Sequence, residues 1–458
     1  MGDSTSSFRF VLSRTLESKH FIPICLISAL AVRMCWIHFA PAMPVADYAW
    51  YYETATRILE GKGYSRYSVG WMPTAYHAVG YPAFLTLLFA VFGTSVLVGK
   101  VANVILYMGA LLLTYRLAKK LFHSEIVART ALAVLSFYPN HIAYCSLLAA
   151  EILALFLALF AVALFIVEKS RLWKAVLSGM VFGLACLVRA EVVFLPVVLF
   201  GATLAGKIRQ KALRGHLAFF AVVCISFALT ILPWEIRNFQ TFSHFVFITT
   251  HGGINLFIGN NPHATGAYSS GSEASPLLEG TKSEYEKDAK ARALALRYVK
   301  EHPLRTIRLW PKKLYYLYHR DIEGFVWTER GMGVWVGTGI GSTKAGTIAF
   351  FRGCMIIAQS YYMLIMAAFV FSVALLVGRR KHKTGFPETA VVSLWIIIYF
   401  TGLGLIFFGN SRFHFLTMPW IAMYVGVLVE LYAAPRSSEG YRLPAQQAVK
   451  PLPMGSAV

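Results

Sequence analysis

Residues 20–64 read HFIPICLISALAVRMCWIHFAPAMPVADYAWYYETATRILEGKGY, and this stretch indicates the architecture of the chain. Residues 20–40 form an apolar run of the length that crosses a bilayer, which takes about 20 residues. Asp47 follows this run and precedes an aromatic, helix-forming segment. A charge at the centre of a membrane helix costs about 3 kcal/mol. Because Asp47 lies past the span, it avoids most of this cost and can stay ionised while it faces a lipid-borne substrate.

The chain as a whole has the composition of an all-α polytopic membrane protein. Of its 458 residues, 57% are hydrophobic and 14% are charged, whereas soluble domains carry about 25% charged residues. The apolar run at 81–93 has only about 13 residues, which predicts an interfacial or re-entrant helix instead of a span. The candidate spans are residues 20–40, 97–118, 126–146, 151–168, 175–190, 191–206, 214–234, 352–378, 389–408 and 412–432.

Basic residues give the chain a net charge of +21. Most of them flank apolar runs, so the excess indicates membrane orientation and not nucleic-acid binding. The short basic links fall on alternate turns: Lys119–Lys120, Lys169/Arg171/Lys174, Lys207/Arg209/Lys211/Arg214 and Arg379/Arg380/Lys381/Lys383. Basic short loops favour the cytoplasmic side. This pattern predicts that both termini are cytoplasmic.

The same pattern predicts four segments along the chain. Residues 1–234 form an N-terminal transmembrane module, and its first external loop is 41–96. Residues 235–351 form a long external region, in which 283–302 is an amphipathic helical run, and residues 352–434 form the C-terminal transmembrane helices. Residues 435–458 form a polar tail, predicted to be cytoplasmic and disordered.

The sequence contains no P-loop, no GxGxxG after a strand and no HExxH. An enzyme acting at the outer face would need a substrate that brings its own leaving group, and a sugar linked to a lipid phosphate fits. Several motifs occur in one order along the chain: D-x3-Y-Y-x-x-A-x-x-I-L-x-G-x-G-Y (47–64), P-x-x-Y-H-x-V-G-Y-P (73–82), F-Y-P-x-x-I-x-Y (137–144), L-V-R-A-E (187–191), P-W-E-I-R-N (233–238), G-G-I-N-L-F-I-G-N-N-P (252–262) and N-S-R-F (410–413).

This ordered set resembles the GT-C glycosyltransferases, and within them glycosyltransferase family 39. That family includes dolichyl-phosphate-mannose protein mannosyltransferases and lipid A aminoarabinose transferases. The resemblance covers nearly the whole chain. It implies a GT-C-type bundle of about ten transmembrane helices with external interfacial helices.

The resemblance also implies roles for two carboxylates. Asp47 would accept the proton of an acceptor hydroxyl that attacks the anomeric carbon of the sugar, and partial desolvation would raise its basicity. The alternative is that Asp47 caps the helix that follows it. Glu151 opens a span after an external turn and would face the same cavity. A carboxylate in a first helical turn is also favoured by the helix dipole alone.

Cations would bind the leaving polyprenyl phosphate. Arg189, Arg237 and Arg412 lie at membrane boundaries and are candidate substrate-binding residues, because guanidinium groups suit phosphate oxygens. Arginines at span ends also snorkel to lipid headgroups, so each has a structural alternative. His77 occupies roughly the place where the aminoarabinose branch has a lysine, which predicts a phosphate or acceptor contact.

The sequence therefore predicts an integral-membrane, inverting glycosyltransferase of a bacterial inner membrane, with its active site facing the periplasm. Its partners would be a polyprenyl-phosphate sugar donor, a lipid, glycan or protein acceptor, and membrane lipids. No cofactor and no metal site are expected, because the external loops contain no DxD motif. The rival classes are a transporter or flippase of a lipid-linked glycan, and a lipid-binding scaffold in which Asp47 and Glu151 are dispensable.

Overall fold

A computed structural model of the chain describes residues 14–68, 70–166, 171–209, 211–273, 275–281, 283–333, 345–379 and 388–433. The described residues are mainly helical, as the sequence predicts. In chain order the helices are α1 (Phe21–Phe39), α2 (Asp47–Leu59), α3 (Gly80–Phe92), α4 (Val96–Phe122), α5 (Glu125–Ser136), α6 (Pro139–Tyr144), α7 (Ala150–Phe165), α8 (Leu172–Val188), α9 (Leu195–Arg209), α10 (Leu213–Phe242), α11 (Gly252–Gly259), α12 (Ser270–Glu273), α13 (Glu284–Glu301), α14 (Pro303–Tyr318), α15 (Glu323–Gly331), α16 (Ala345–Arg379), α17 (Val391–Ile406) and α18 (Met418–Ala433).

A small hairpin and four 3-10 segments complete the fold of the described residues. Strand β1 (Ser65–Ser68) pairs antiparallel with β2 (Gly70–Pro73). The all-α prediction did not include this hairpin, which lies in the segment 41–96 that the sequence predicts to be the first external loop. The 3-10 segments are Ala190–Val192, Pro276–Leu278, Glu388–Ala390 and Ser411–Thr417.

Six segments among the described residues are long and apolar enough to cross a membrane. They are Phe21–Phe39, Val96–Phe122, Ala190–Arg209, Leu213–Phe242, Gly346–Gly378 and Ser411–Ala433. Helices α3, α7, α8 and α17 are apolar but shorter. The polytopic membrane fold is therefore confirmed, whereas helix length alone does not fix the number of spans at ten.

The candidate span 126–146 is not one continuous helix. Helix α5 ends at Ser136, and α6 begins at Pro139. Proline has no N–H to donate, and it pushes the residue before it out of the helical region. Tyr138 accordingly has ψ 108°. The buried guanidinium of Arg33 donates to the carbonyl oxygen of Ser136 at 2.8 Å, which satisfies a carbonyl group that the break leaves without a helical partner.

The neighbouring pair of predicted spans, 175–190 and 191–206, is confirmed as two helices. Helix α8 ends at Val188, and α9 begins at Leu195. Between them Arg189 has an extended backbone and the next residues form a 3-10 turn. The charged residues that interrupt the apolar pattern therefore mark a true break.

The contacts at the helix ends place the basic links at one end of the bundle and residues of the predicted first external loop at the other. At one end, Arg129 near the start of α5 donates to the carbonyl oxygen of Ser18 before α1, and Lys119 near the end of α4 pairs with Glu125. At the other end, the start of α2, the start of α7 and the segment before α18 meet through side chains described below. Lys169, Arg380, Lys381 and Lys383, and the predicted tail 435–458, lie outside the described residues.

The apolar run at 81–93 forms α3, a helix of 13 residues. At 1.5 Å per residue it is about 20 Å long, shorter than the hydrocarbon core of about 30 Å. It packs closely on α8, because a Cβ atom on Gly80 would lie 2.7 Å from the carbonyl group of Leu187. Its length fits the predicted interfacial or re-entrant helix.

The segment predicted to be external contains the amphipathic helix that the sequence predicts at 283–302, here α13, followed by α14. Lys313 of α14 is fully buried and donates to the carbonyl oxygen of Leu405 at 2.9 Å, so α14 lies against the end of α17. Another side of α14 exposes Leu304, Ile307 and Leu314. An exposed apolar stripe on a helix at the end of a membrane-type helix is typical of an interfacial helix.

The predicted orientation can be tested by labelling single cysteines in a background without native cysteines. Arg171→Cys lies on a basic link and is expected to resist an impermeant thiol reagent in intact cells. Thr265→Cys and Ser270→Cys, exposed in the external region, are expected to react. Labelling of the Arg171 position from outside would reverse the orientation and contradict an external active site.

Candidate functional site

Asp47 is the first residue of α2, and the residue before it has a strained backbone. Ala46 has φ 51° and ψ −127°, a region that residues other than glycine rarely adopt. Ala46 is also the N-cap, so Asp47 does not occupy the capping position. Its Oδ2 atom lies 3.0 Å from Arg412 Nη1, and 41% of its side chain is exposed. The turn therefore presents an accessible carboxylate to an arginine.

Arg412 joins the two carboxylates that the sequence predicts to be catalytic. It lies in the 3-10 segment Ser411–Thr417, which Asn410 caps by accepting from the backbone N–H of Arg412 at 2.9 Å. Arg412 Nη1 donates to Asp47 at 3.0 Å. On the other side, its Nε and Nη2 atoms lie 2.9 and 2.8 Å from Glu151 Oε1. The guanidinium thus bridges α2 and α7.

Glu151 lies in the first turn of α7 and is 1% exposed. Its Oε1 atom also accepts from Arg189 Nη1 at 2.9 Å. Arg189 in turn donates from Nε to Glu191 at 2.8 Å. A buried carboxylate needs such partners, because an unpaired buried charge is strongly unfavourable. The chain Asp47, Arg412, Glu151, Arg189 and Glu191 therefore forms one cluster of alternating charge.

His77 lies beside this cluster, with Nε2 3.9 Å from Asp47 Oδ1. That distance is too long for a hydrogen bond. Aromatic rings surround the imidazole, among them Trp50 at 4.6 Å and Tyr51 at 5.4 Å between ring centroids. Burial lowers the pKa of His77 to about 4, although the carboxylate of Asp47 opposes this shift. His77 is therefore neutral at physiological pH.

The expectation that desolvation makes Asp47 more basic is wrong for this structure. Burial does raise the pKa of its carboxyl group, but Arg412 and His77 act in the opposite direction and the net pKa is lowered. An adjacent guanidinium stabilises the ionised form. Asp47 is therefore a carboxylate throughout the physiological pH range.

Arg237 is not part of the charged cluster. Its Nη1 donates to the carbonyl oxygen of Thr74 at 2.8 Å, and its Nη2 donates to the carbonyl oxygen of Tyr64 at 2.9 Å. The guanidinium also lies 4.8 Å from the ring centroid of Trp234. Arg237 thus ties the ends of the hairpin region to α10. The structure brings Asp47, Glu151, Arg189 and Arg412 together, with His77 beside them.

A second polar group lies next to His77, and of its members the motifs contain only Tyr76. Tyr76 donates to Glu273 Oε1 at 2.6 Å, and its hydroxyl lies 3.2 Å from His251 Nε2. Tyr268 donates to the other oxygen of Glu273 at 2.8 Å. His251 also contributes to the low pKa of Asp47. Only the position of Tyr76 next to His77 in the sequence could have drawn attention to this group.

Buried polar atoms without a protein partner occur around Glu151. They are Glu151 Oε2 and the hydroxyl groups of Tyr48 and Tyr144. Arg412 lies 5.6 Å from the ring centroid of Tyr48, and both tyrosines are close enough to Glu151 for electrostatic coupling. Most buried polar groups in proteins are hydrogen-bonded. Water or the hydroxyl groups of a substrate could satisfy these three.

Metal binding has no dedicated residue set in the part of the chain that the structure describes. No group of three or more His, Cys, Asp or Glu side chains converges there in a way that could hold an ion. Both guanidiniums also lie against the carboxylates that a cation would need. The expectation of a metal-independent reaction stays a prediction.

The fold is that of a polytopic membrane protein, and comparisons with known proteins show which family part of the chain resembles. Residues 76–234, about a third of the chain, match the family model of dolichyl-phosphate-mannose-protein mannosyltransferase. The resemblance to GT-C glycosyltransferases that the sequence motifs indicate is therefore confirmed. A search of curated proteins finds no match.

Solved structures agree with this fold. An oligosaccharyltransferase of Archaeoglobus fulgidus, solved with Zn and sulfate, aligns over 90% of this chain and 49% of its own, with 16% identity and a TM-score of 0.51. AglB of the same organism, solved with an inhibitory peptide and a dolichol-phosphate, aligns with 16% identity and a TM-score of 0.50 over 90% and 50% of the two chains. This chain thus spans about half the length of these proteins. ArnT of Cupriavidus metallidurans bound to undecaprenyl phosphate has 12% identity, a TM-score of 0.42 and coverage of 90% and 76%.

Proposed function

We propose that this protein transfers a sugar from a polyprenyl-phosphate donor to an acceptor hydroxyl at the outer face of a bacterial inner membrane, with inversion at the anomeric carbon. The observation that carries the proposal is the position of Asp47. It is ionised and 41% exposed, next to a buried cluster of charges. A general base needs both properties, because it must be unprotonated and must reach the acceptor.

In this mechanism, the acceptor oxygen attacks the anomeric carbon while its proton passes to Asp47. The bond between the anomeric carbon and the phosphate oxygen breaks, and polyprenyl phosphate leaves with that electron pair. Arg412 holds Asp47 through Oδ2 at 3.0 Å. The Oδ1 atom faces His77 at 3.9 Å. An acceptor hydroxyl would approach Oδ1, and neutral His77 would not compete for the proton.

The leaving phosphate would bind the guanidinium groups of Arg412 and Arg189. A guanidinium carries five N–H donors. The carboxylates of Asp47 and Glu151 contact three nitrogen atoms of Arg412. One N–H on each terminal nitrogen is then left for phosphate oxygens. The cluster already contains three carboxylates and two guanidinium groups. A bound phosphate would add negative charge and would therefore favour a change in which carboxylate pairs with which guanidinium. Arg237 and His77 are proposed as further substrate contacts.

Three further observations support a lipid-linked sugar as the donor. The unpartnered hydroxyl groups of Tyr48 and Tyr144 lie near Glu151, where they could bond sugar hydroxyls. One protein of similar fold was solved with a dolichol-phosphate. A lipid donor also matches the position of the cluster at the ends of membrane-type helices.

The direct test is an assay of sugar transfer in liposomes. Purified protein is supplied with a polyprenyl-phosphate sugar and with lipids extracted from a deletion strain. We expect labelled sugar to appear in an acceptor fraction and free polyprenyl phosphate to accumulate. A donor that moves across the bilayer without release of polyprenyl phosphate would instead establish the flippase alternative.

The lowered pKa of Asp47 predicts the pH dependence of transfer. A base acts in its deprotonated form, so the rate is lost only when the pH falls through the pKa of Asp47, which lies below the ordinary value of about 3.9. We therefore expect no loss from this group between about pH 8 and pH 5. In Arg412→Gln the residual activity should fall at a higher pH, because the guanidinium that lowers the pKa is gone. An unshifted acid limb in that variant would contradict the assignment of Asp47 as the titrating base.

A further inference from the structure

Arg412 lies on a short 3-10 segment that is also held by residues outside the charged cluster. Two of its neighbours, Ser411 and His414, are buried and bond to residues of the external region near the start of α15. A 3-10 segment has poorer hydrogen-bond geometry than an α-helix. Its conformation therefore depends on such side-chain contacts.

His414 makes an unusual pair with Asp321. Its Nδ1 atom lies 2.6 Å from the carbonyl oxygen of Leu317, which can only accept, so Nδ1 donates. Its Nε2 atom lies 3.2 Å from Asp321 Oδ1. The two edges of the imidazole therefore lie against Leu317 and Asp321.

Aromatic rings also hold the orientation of His414. The imidazole is fully buried and stacks with the rings of Tyr318 and Tyr362, with centroid distances of 5.5 and 5.3 Å and interplanar angles of 19° and 13°. Its position is therefore fixed by Leu317, by Asp321 and by these two rings.

Asp321 connects this histidine to α6. Its carboxylate accepts from the hydroxyl group of Tyr138 and from the side-chain amide of Asn140. Its backbone N–H donates to Gln359 at 3.0 Å. These donors satisfy the oxygen atoms of a carboxylate that is only 2% exposed. Asp321 thus ties the Arg412 segment to α6 and α16.

Glu323 provides a second connection on the other side of Arg412. Its Oε1 atom accepts from Ser411 Oγ at 3.1 Å and from Arg320 Nη2 at 2.6 Å. The next residue, Gly324, donates its backbone N–H to Asn140 Oδ1 at 2.7 Å. A Cβ atom on Gly324 would lie 2.7 Å from the carbonyl oxygen of Asn140, so the close approach requires glycine.

These contacts make Asp321 and Glu323 a clamp around the segment that carries Arg412. We propose that Asp321 and Glu323 are positioning residues, which fix Arg412 between Asp47 and Glu151 by holding His414 and Ser411. The inference rests on the proposed role of Arg412 in transfer. Asp321 and Glu323 would then act on the reaction through the position of Arg412.

The test is a double-mutant cycle between Asp321→Asn and Arg412→Lys. Loss of position costs about 10- to 100-fold in rate. We expect Asp321→Asn alone to lower kcat by about that factor, and to add little when Arg412 is already lysine, because coupled residues are not additive. Asp321→Glu should recover part of the loss. Glu329→Gln, on α15 outside the clamp, is the control and should keep wild-type kcat.

The same double-mutant cycle can be measured by the thermal unfolding midpoint, which needs no substrate. We expect the double variant to lose less than the sum of the single losses. One outcome would overturn the proposed role of Arg412 in transfer. In it, the two variants are coupled in the unfolding midpoint, but folded Asp321→Asn transfers sugar at the wild-type rate. Additive effects in both readouts would overturn the positioning role itself.

Milder variants keep the proposal testable if Asp321→Asn does not fold. Ser411→Ala removes only the contact with Glu323, and Glu323→Gln removes its charge. Both are expected to lower kcat by a factor of about 3 to 10, as for the loss of one or two positioning hydrogen bonds, and to couple to Arg412→Lys. Wild-type kcat in both folded variants would overturn the clamp.

Discussion

Asp47→Asn is expected to reduce sugar transfer by at least about 100-fold, because general-base catalysis contributes about 10²–10⁴-fold. The amide keeps the size of the side chain and can still bond to its neighbours, but it cannot accept a proton. The pair with Arg412 is 41% exposed on the Asp47 side, and pairs this exposed contribute about 0–1 kcal/mol. The variant should therefore insert and fold normally. The assay is transfer from a polyprenyl-phosphate donor in liposomes, normalised to inserted protein.

Glu53→Gln is the matched control for this variant. Glu53 lies on the same helix, with 60% of its side chain exposed and paired only with Arg57. The same chemical change there should leave transfer within about two-fold of wild type, because it touches neither substrate nor cluster. A well-inserted Asp47→Asn protein with full activity would exclude the base mechanism. The transporter and the scaffold would then be the favoured functional hypotheses.

Arg412→Ala is expected to have the second large effect, on both activity and stability. Removal of a donor to developing negative charge costs about 10²–10³-fold in rate. Glu151, which is 1% exposed, would keep only Arg189 as a partner. Breaking a buried ion pair costs about 3–5 kcal/mol. Arg412→Lys should recover part of the stability but little activity, because an ammonium group cannot bridge both carboxylates as the planar fork does.

Arg129→Ala is the control for a comparable arginine at the opposite end of the bundle. Arg129 is 13% exposed and pairs with Glu125, whereas Arg412 is 18% exposed. We expect Arg129→Ala to lower the unfolding midpoint without changing the affinity for polyprenyl phosphate. Isothermal titration with polyprenyl phosphate separates the two variants. Equal losses of affinity in both would remove Arg412 from the phosphate site.

Local sequence patterns predicted most helices because they depend on the composition of neighbouring residues. The break between α8 and α9 follows from Arg189 and Glu191, charged groups that are costly inside lipid. The amphipathic repeat of 283–302 likewise predicted α13. The error at 126–146 came from hydropathy alone. It placed Pro139 inside a span, although proline interrupts a helix by its own geometry.

By itself, the sequence determined that the chain is a polytopic membrane protein and that an ionisable Asp47 lies just beyond its first apolar helix. Apolar length and charge placement are properties of contiguous residues, so no structure is needed to read them. Only the tertiary structure decided that Arg412 contacts Asp47 across 365 positions of sequence and Glu151 across 261. It also placed Arg237, which the sequence suggests as a substrate-binding residue, outside the charged cluster. Such pairings depend on how distant helix ends pack together, and that packing is set by the whole bundle and not by any local pattern.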